Sequence, residues 1–183
     1  MRKLLGGLVL ALVMAVLVPG TALATHSNGT GPDKDFLDGT VKQVLPTPLG
    51  SFQGQVHNNA QSESASGPGI PATGHFYVDI FDTPVGDVTI SGDVVCLQVI
   101  GNNAWTRSVI TQSNTVLAPP GFTLIGRETD NGEPGSLQAG AAPPDAATGF
   151  LAPPLPPGNP TCPTLPLTTN PVEQGNYVIH DGV

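Results

Sequence analysis

An alternation of apolar and polar residues with a period of two constrains the fold of this chain most. Phe76, Val78 and Ile80 alternate with more polar neighbours, which places one side of an extended strand against a core. The same kind of pattern returns in four later segments: 87–99, 104–112, 122–129 and 176–180. After Ala24, no apolar stripe with helical spacing is long enough for an amphipathic helix. The sequence therefore predicts an all-β, antiparallel fold, a small barrel or sandwich of about seven to nine strands.

The segment 87–99 carries apolar residues on both faces, and Gly92 interrupts it. A β-bulge or sharp bend near Gly92 would explain the two apolar faces. On this interpretation, we expect Val94 and Cys96 to share one face. The sequence Ile100-Gly101-Asn102-Asn103 is a turn signal between two strand patterns and predicts a hairpin.

The residues before Thr73 are polar and rich in small side chains. Only two short stretches, 40–45 and 52–56, alternate in the manner of strands. The run Asn58–Thr73 has little to bury and predicts a long loop. We therefore expect modest strand content here, in a polar N-terminal segment 25–59 that precedes a β domain over 60–183.

Proline dominates the later part of that domain. Ten of the chain's twenty prolines lie between Pro143 and Pro171, without a strand or helix period. Because proline has no backbone N–H to donate, we expect this proline-rich segment, 143–171, to be a loop and not a central strand.

The first twenty-four residues have the order of a secretory signal peptide. Arg2 and Lys3 precede an apolar run, Leu4–Val18, and a small-residue site ends at Ala24. A helix over that run would be about 22 Å long, which is too short for the ~30 Å core of a bilayer. We expect cleavage after Ala24 and secretion to the extracellular space, the cell wall or the periplasm. No membrane anchor is expected in the mature chain.

Charge excludes one large class of partners. The predicted mature chain has four basic residues against fourteen acidic ones, and the acidic excess would repel nucleic acid and anionic membranes.

Cys96 and Cys162 are the two cysteines of the chain. In an exported protein an even number of cysteines favours a disulfide, and two cysteines allow one pairing. That bond would attach the proline-rich segment to the sheet. The alternative is two unpaired thiols, with Cys96 a small core residue.

Several motifs together resemble a family of small exported bacterial β-rich proteins of unknown function. They are GDVVCLQVIGNNA at 92–104, DNGEPG at 130–135, Cys162-Pro163 and GNYVIHD at 175–181. The resemblance covers residues 60–181. It implies a compact β fold and export, but no established activity, and it identifies no catalytic residue.

Two groups of oxygen-bearing side chains could carry chemistry. Asp130, Asn131 and Glu133 lie close together on a glycine turn, where they could bind a cation such as Ca²⁺ or simply hydrogen-bond the turn. A second group could supply paired carboxylates in a cleft, or could be solvated on strand faces and turns. Its members are Asp79, Asp82, Asp87 and Asp93.

The remaining candidate residues give weaker signals. The four histidines, at 26, 57, 75 and 180, lack the spacing of local metal pairs. Ser64 and Ser66 lie outside any nucleophile-elbow motif. Trp105 could stack on a ligand or pack against the protein. We therefore predict no catalytic residue, no metal site and no cofactor.

Two functional classes remain. The first is a non-enzymatic binding or interaction module, whose partner is a small ligand or an extracellular protein of unknown identity. The second is an extracytoplasmic hydrolase with an acidic cleft. A cavity with convergent buried carboxylates would favour the hydrolase, and a cavity without them would favour the module.

Overall fold

The computed structural model describes residues 34–63, 71–133, 135–136, 140, 143–155 and 161–182. Every helix or strand assigned within these ranges is a β-strand, which confirms the predicted all-β class. The predicted signal peptide, His26, Ser64 and Ser66 lie outside the described residues.

Nine antiparallel strands form one curled sheet. They are β1 Phe36–Thr47, β2 Gly50–Ser62, β3 Ala72–Ile80, β4 Val88–Ile100, β5 Asn103–Ser113, β6 Thr123–Thr129, β7 Ala146–Ala152, β8 Asn170–Pro171 and β9 Gln174–His180. From β1 to β8, each strand pairs with the next one along the chain, and β9 pairs with β1. The predicted hairpin between β4 and β5 is present, with Ile100 paired to Asn103.

The two edges of the sheet meet at one short stretch of chain, which makes the fold barrel-like. β8 pairs with β7, and β9, which follows almost immediately, pairs with β1. Between β8 and β9, the backbone N–H of Val172 donates to the Asp145 carbonyl (2.8 Å), and that of Glu173 donates to the Lys42 carbonyl (2.9 Å). The sequence left a barrel and a sandwich open, and the single curled sheet is a half-barrel, whose concave inside is called the barrel interior below.

The core lies inside the curled sheet and is built from alternate residues of its strands. Phe76, Val78 and Ile80 are all buried in it, as the alternation predicted. Tyr177 of β9 is fully buried and lies against Gly39, its register partner on β1. A Cβ at position 39 would collide with the Tyr177 ring, so glycine is required there to admit the ring.

Strand β4 contains two irregularities. The register shifts between Ser91 and Gly92, which confirms the bulge predicted near Gly92, and shifts again between Val94 and Cys96. Because of the second shift, the prediction that Val94 and Cys96 share one face is wrong. Val94 belongs to the core, whereas Cys96 pairs with Arg107. Thr106 and Ser108, on either side of Arg107, face the interior, so Arg107 and Cys96 face outwards.

β1 and β2 contain more strand than the sequence predicted for this part of the chain. β2 continues through Asn58 to Ser62, so the prediction of a loop beginning at Asn58 is wrong. Asn58, Ala60 and Ser62 are buried although two of them are polar. The Ser62 hydroxyl accepts a hydrogen bond from the Asp35 backbone N–H (2.8 Å), so burial here depends on pairing rather than on apolar character.

The proline-rich segment also contains a paired strand, which corrects the second loop prediction. β7 pairs with β6 on one side and with β8 on the other. Its sequence, AATGFLA, is a proline-free interval between Pro144 and Pro153, so every residue keeps its backbone N–H. The density of prolines around it concealed the strand.

A disulfide joins Cys96 and Cys162, with 5.6 Å between their Cα atoms, and confirms the predicted pairing. In the described part of the chain, no helix has the length and apolar character needed to span a membrane.

Candidate functional site

The interior of the barrel contains a cavity of about 470 Å³. It extends to the end of the barrel where the connections between β1 and β2, β3 and β4, and β5 and β6 lie. Leu49, Thr83 and Leu117 of these connections line it, and Leu49 and Leu117 are exposed to solvent. This volume is within the usual range of pockets that bind small molecules, about 300–1,000 Å³.

Apolar side chains form most of the cavity wall. Because inward positions alternate along each strand, six strands contribute one or two side chains each to a continuous apolar surface. The inward aliphatic residues are Leu45, Val56, Val78, Ile80, Val88, Ile90, Leu124 and Leu151. The wall can therefore enclose an apolar molecule.

Glu128 and Asn58 form a polar pair in this apolar surface. The Asn58 Nδ2 group donates a hydrogen bond of 2.7 Å to Glu128 Oε1, and only 3% of Glu128 is exposed. Asn58 is on β2 and Glu128 is on β6, and three strands separate them in the sheet. The bond consequently crosses the barrel interior.

Gly126 makes room for this pair. A Cβ at position 126 would lie 2.5 Å from Thr106 Oγ1 and 2.8 Å from Glu128 Oε1. Glycine at this position therefore lets the Glu128 carboxyl and the Thr106 hydroxyl approach each other beside the cavity.

Burial controls the ionisation of Glu128. Loss of hydration raises the pKa of its carboxyl to about 8, against the smaller opposing effect of hydrogen bonds from Asn58 and Thr106. At neutral pH the group is mainly the neutral acid. Burial of Tyr177 likewise raises the pKa of its hydroxyl, and negative charge on Glu128 and Asp145 at high pH raises it further.

Three oxygen atoms of cavity-lining side chains are buried without a hydrogen-bond partner. They are Gln43 Oε1, Asn58 Oδ1 and Glu128 Oε2. Buried polar atoms in folded proteins are nearly always paired, so three unpaired ones beside one cavity are unusual. Among the described lining residues there is no Lys, Arg or His.

The four aspartates considered for acid–base chemistry lie outside this cavity. Asp79 accepts a hydrogen bond from Thr89 Oγ1 (2.8 Å), and Asp87 accepts one from the Asp82 backbone N–H (3.0 Å). Asp93 pairs with His75 at 2.9 Å, and both side chains are more than half exposed. These contacts organise the outer surface and one connection, and they bring no carboxylate to the cavity.

The other histidines of the described chain are also apart from the cavity. His57 shares a hydrogen bond with Thr40 Oγ1 (2.8 Å) at the surface, and His180 lies at the end of β9. Across the described ranges, no three His, Cys, Asp or Glu side chains group together as potential metal ligands.

Trp105 packs on the outside of the barrel. Its indole Nε1 donates to the Leu165 carbonyl (3.1 Å), and the Arg127 guanidinium lies 5.5 Å from the centre of its ring. Arg127 also donates to the Leu167 carbonyl (2.9 Å). These contacts, with the disulfide at Cys162, hold residues 161–169 on the outer face of β4, β5 and β6. Of the two roles considered for Trp105, the structure shows packing.

The three candidate residues on the glycine turn, Asp130, Asn131 and Glu133, make hydrogen bonds to backbone groups and to one side chain. Asp130 accepts hydrogen bonds from the backbone N–H groups of Gly132 (2.8 Å) and Ile179 (3.1 Å). Asn131 Nδ2 donates to the Pro144 carbonyl (2.7 Å), and Glu133 accepts from the Asn176 amide. These hydrogen bonds are those of a turn anchored to β9.

Sequence reasoning missed Asp145, which belongs to the same region. It is fully buried and accepts hydrogen bonds from the backbone N–H groups of Asn131 and Tyr177, each at 2.8 Å. Burial raises the pKa of Asp145 to about 6, more than these two bonds lower it.

Glu128 and Asn58 were also missed, although one signal for Glu128 was available. The segment 122–129 was predicted to be a strand, and Leu124, Gly126 and Glu128 share one face of such a strand. A glutamate on the same face as a core leucine indicates a buried carboxyl. Asn58 had no comparable signal, because its segment was predicted to be a loop.

No protein-family model, curated protein or solved structure matches this chain.

Proposed function

We propose that this protein is a secreted binding module that holds a small, mainly apolar molecule inside its barrel. The observation that carries the proposal is the cavity of about 470 Å³, whose apolar wall surrounds a buried polar pair. Binding sites for small molecules combine these two elements, since the apolar wall supplies affinity and a few polar groups fix orientation.

The number of carboxylates supports binding over hydrolysis. Among the described residues that line the cavity, Glu128 is the single carboxylate. Glycoside hydrolysis by two carboxylates needs a second one across the substrate, about 5–9.5 Å away. The aspartates that could have supplied it lie elsewhere, so the structure offers the hydrolase no specific support.

Two features support secretion. The N-terminal residues have the pattern of a signal peptide, and disulfides persist mainly in oxidising compartments outside the cytosol. Intact-mass analysis of the exported protein tests this part of the proposal. A chain beginning at Thr25 would support it, and a chain that keeps Met1 would contradict it.

Binding can be tested with diphenylhexatriene, an uncharged hydrocarbon that becomes fluorescent in apolar surroundings. We expect the mature protein to bind it at one site. Val88→Phe adds a ring to the cavity wall and should weaken binding at least about tenfold, because the ring occupies ligand volume.

Thr73→Phe is the matched control, since it adds the same ring at an exposed position of β3 that does not line the cavity. This variant should bind the probe as the unmodified protein does. Absence of probe binding, or equal weakening by both substitutions, would contradict a ligand site inside the barrel.

A further inference from the structure

Unpaired atoms in the cavity indicate which polar group the ligand carries. Gln43 Oε1, Asn58 Oδ1 and Glu128 Oε2 are all oxygens, and the two amide oxygens can only accept hydrogen bonds. The amide oxygens need a donor in either state of Glu128, and Glu128 Oε2 needs one when the carboxyl is ionised, so a ligand that donates hydrogen bonds can pair them.

Anionic ligands fit this surface poorly. A fatty-acid carboxylate would meet a glutamate and two amide oxygens, and no Lys, Arg or His lines the described part of the cavity to offset its charge. Burying a charge without a partner is costly, so carboxylates and phosphates are disfavoured.

A neutral ligand would pair only some of the unpaired oxygen atoms. A ketone could accept a hydrogen bond from the protonated Glu128 carboxyl, but it would leave both amide oxygens unpaired. An alcohol brings one donor for the two acceptors at Asn58 and Glu128. A primary ammonium group has three N–H donors, and its positive charge favours loss of the Glu128 proton to solvent, after which the ammonium group and the carboxylate form an ion pair.

We propose that the cavity binds a primary aliphatic amine, with its ammonium group at Glu128 and Asn58 and its hydrocarbon chain along the apolar wall. This inference rests on the proposed binding function and specifies its ligand class. The acidic excess of the chain agrees with a cationic ligand, because a negative surface attracts cations to the cavity entrance.

The test compares three ten-carbon ligands as competitors of diphenylhexatriene: decylamine, decanol and decanoate. Their chains are alike, so differences in affinity report the polar end. We expect decylamine to bind at least about tenfold more tightly than decanol, and decanoate to bind most weakly, since charge-assisted hydrogen bonds are roughly twice as strong as neutral ones. Decanol or decanoate binding as tightly as decylamine would overturn the inference.

Glu128→Gln then tests whether the preference for decylamine over decanol depends on this carboxyl group. The substitution keeps the shape of the side chain and removes its charge. We expect the ratio of decylamine to decanol affinity to fall to within about threefold of one. Asp79→Asn removes a carboxylate outside the cavity and should leave the ratio unchanged. A ratio that persists in Glu128→Gln would overturn the inference.

The two proposals fail in different ways. If the unmodified protein does not bind diphenylhexatriene, both the binding function and its amine ligand are wrong. If it binds the probe but shows no preference for decylamine, only the amine inference is wrong. The comparison of ligands on the unmodified protein decides this even where Glu128→Gln does not fold.

Discussion

Asn58 holds the Glu128 carboxyl by a hydrogen bond of 2.7 Å that joins opposite sides of the barrel interior. The bond satisfies one carboxyl oxygen, while the surrounding apolar residues disfavour a negative charge on the group. A carboxyl held in this way makes the stability of the protein depend on pH.

Stability should fall as pH rises towards 8. The pKa of Glu128 is raised from 4.5 to about 8, so between these values the unfolded chain binds fewer protons than the folded one. The free energy of unfolding therefore decreases over this interval, by at most about 1.4 kcal/mol per pH unit from this group. The stabilisation that the neutral Glu128 carboxyl provides is complete below pH 4.5 and lost above about pH 8.

Urea unfolding at a series of pH values can check this prediction in the unmodified protein and in Glu128→Gln. In the variant, the free energy of unfolding should decrease much less between pH 6 and pH 8 than it does in the unmodified protein. Asp145, whose pKa is raised to about 6, adds a decline at lower pH in both proteins. Equal slopes above pH 6 would show that Glu128 is not the group responsible.

Tyr177→Phe should change stability little. The Tyr177 hydroxyl is fully buried and has no hydrogen-bond partner, so removing it breaks no bond and relieves a desolvation cost. We expect the free energy of unfolding to stay within about 0.5 kcal/mol or to rise. Thermal and chemical denaturation measure this, and a loss above about 1 kcal/mol would indicate that the hydroxyl is paired.

Replacing both Cys96 and Cys162 with alanine should lower the free energy of unfolding by about 2–4 kcal/mol, because the disulfide no longer restricts the unfolded chain. The double variant avoids a leftover thiol. Thiol labelling of the denatured, unreduced protein should detect no free cysteine. Labelling of both residues would contradict the disulfide.

Arg127→Met should loosen the segment 161–169 from the outer face. The substitution removes hydrogen bonds to the Leu167 carbonyl and to Asn103, as well as the contact of the cation with Trp105. We expect stability to fall by about 1–3 kcal/mol, as for other hydrogen bonds to charged groups. Amide hydrogen exchange at Leu165 and Leu167 should become faster, and unchanged exchange at both would show that Arg127 does not hold the segment.

Parts of the fold with clear alternation were predictable from the sequence, and parts with polar or proline-rich composition were not. β3 carries Phe76, Val78 and Ile80 at three successive inward positions, and this pattern predicted these core residues directly. β2 places Asn58 and Ser62 inward, where each makes a hydrogen bond to a residue distant in the sequence. Periodicity reports apolar burial, so it cannot detect burial that depends on partners elsewhere in the chain.

The candidate site was less predictable because it is made by closure of the sheet. Asn58 and Glu128 are seventy positions apart and meet only when β2 and β6 face each other across the interior. The face of Glu128 within its strand could be inferred from Leu124 and Gly126, but its partner could not. The cavity likewise depends on curvature, which the alternation pattern does not specify.

The pairing of β9 with β1 joins the last strand of the chain to the first. During synthesis β1 emerges first, yet its outer edge is covered only when β9 arrives, with Phe36 beside His180. Until then β1 presents an open backbone edge, which is a template for pairing with other chains. The nascent protein is thus most exposed to aggregation while its last strands are missing, and a chain interrupted before Asn170 would keep that exposure permanently.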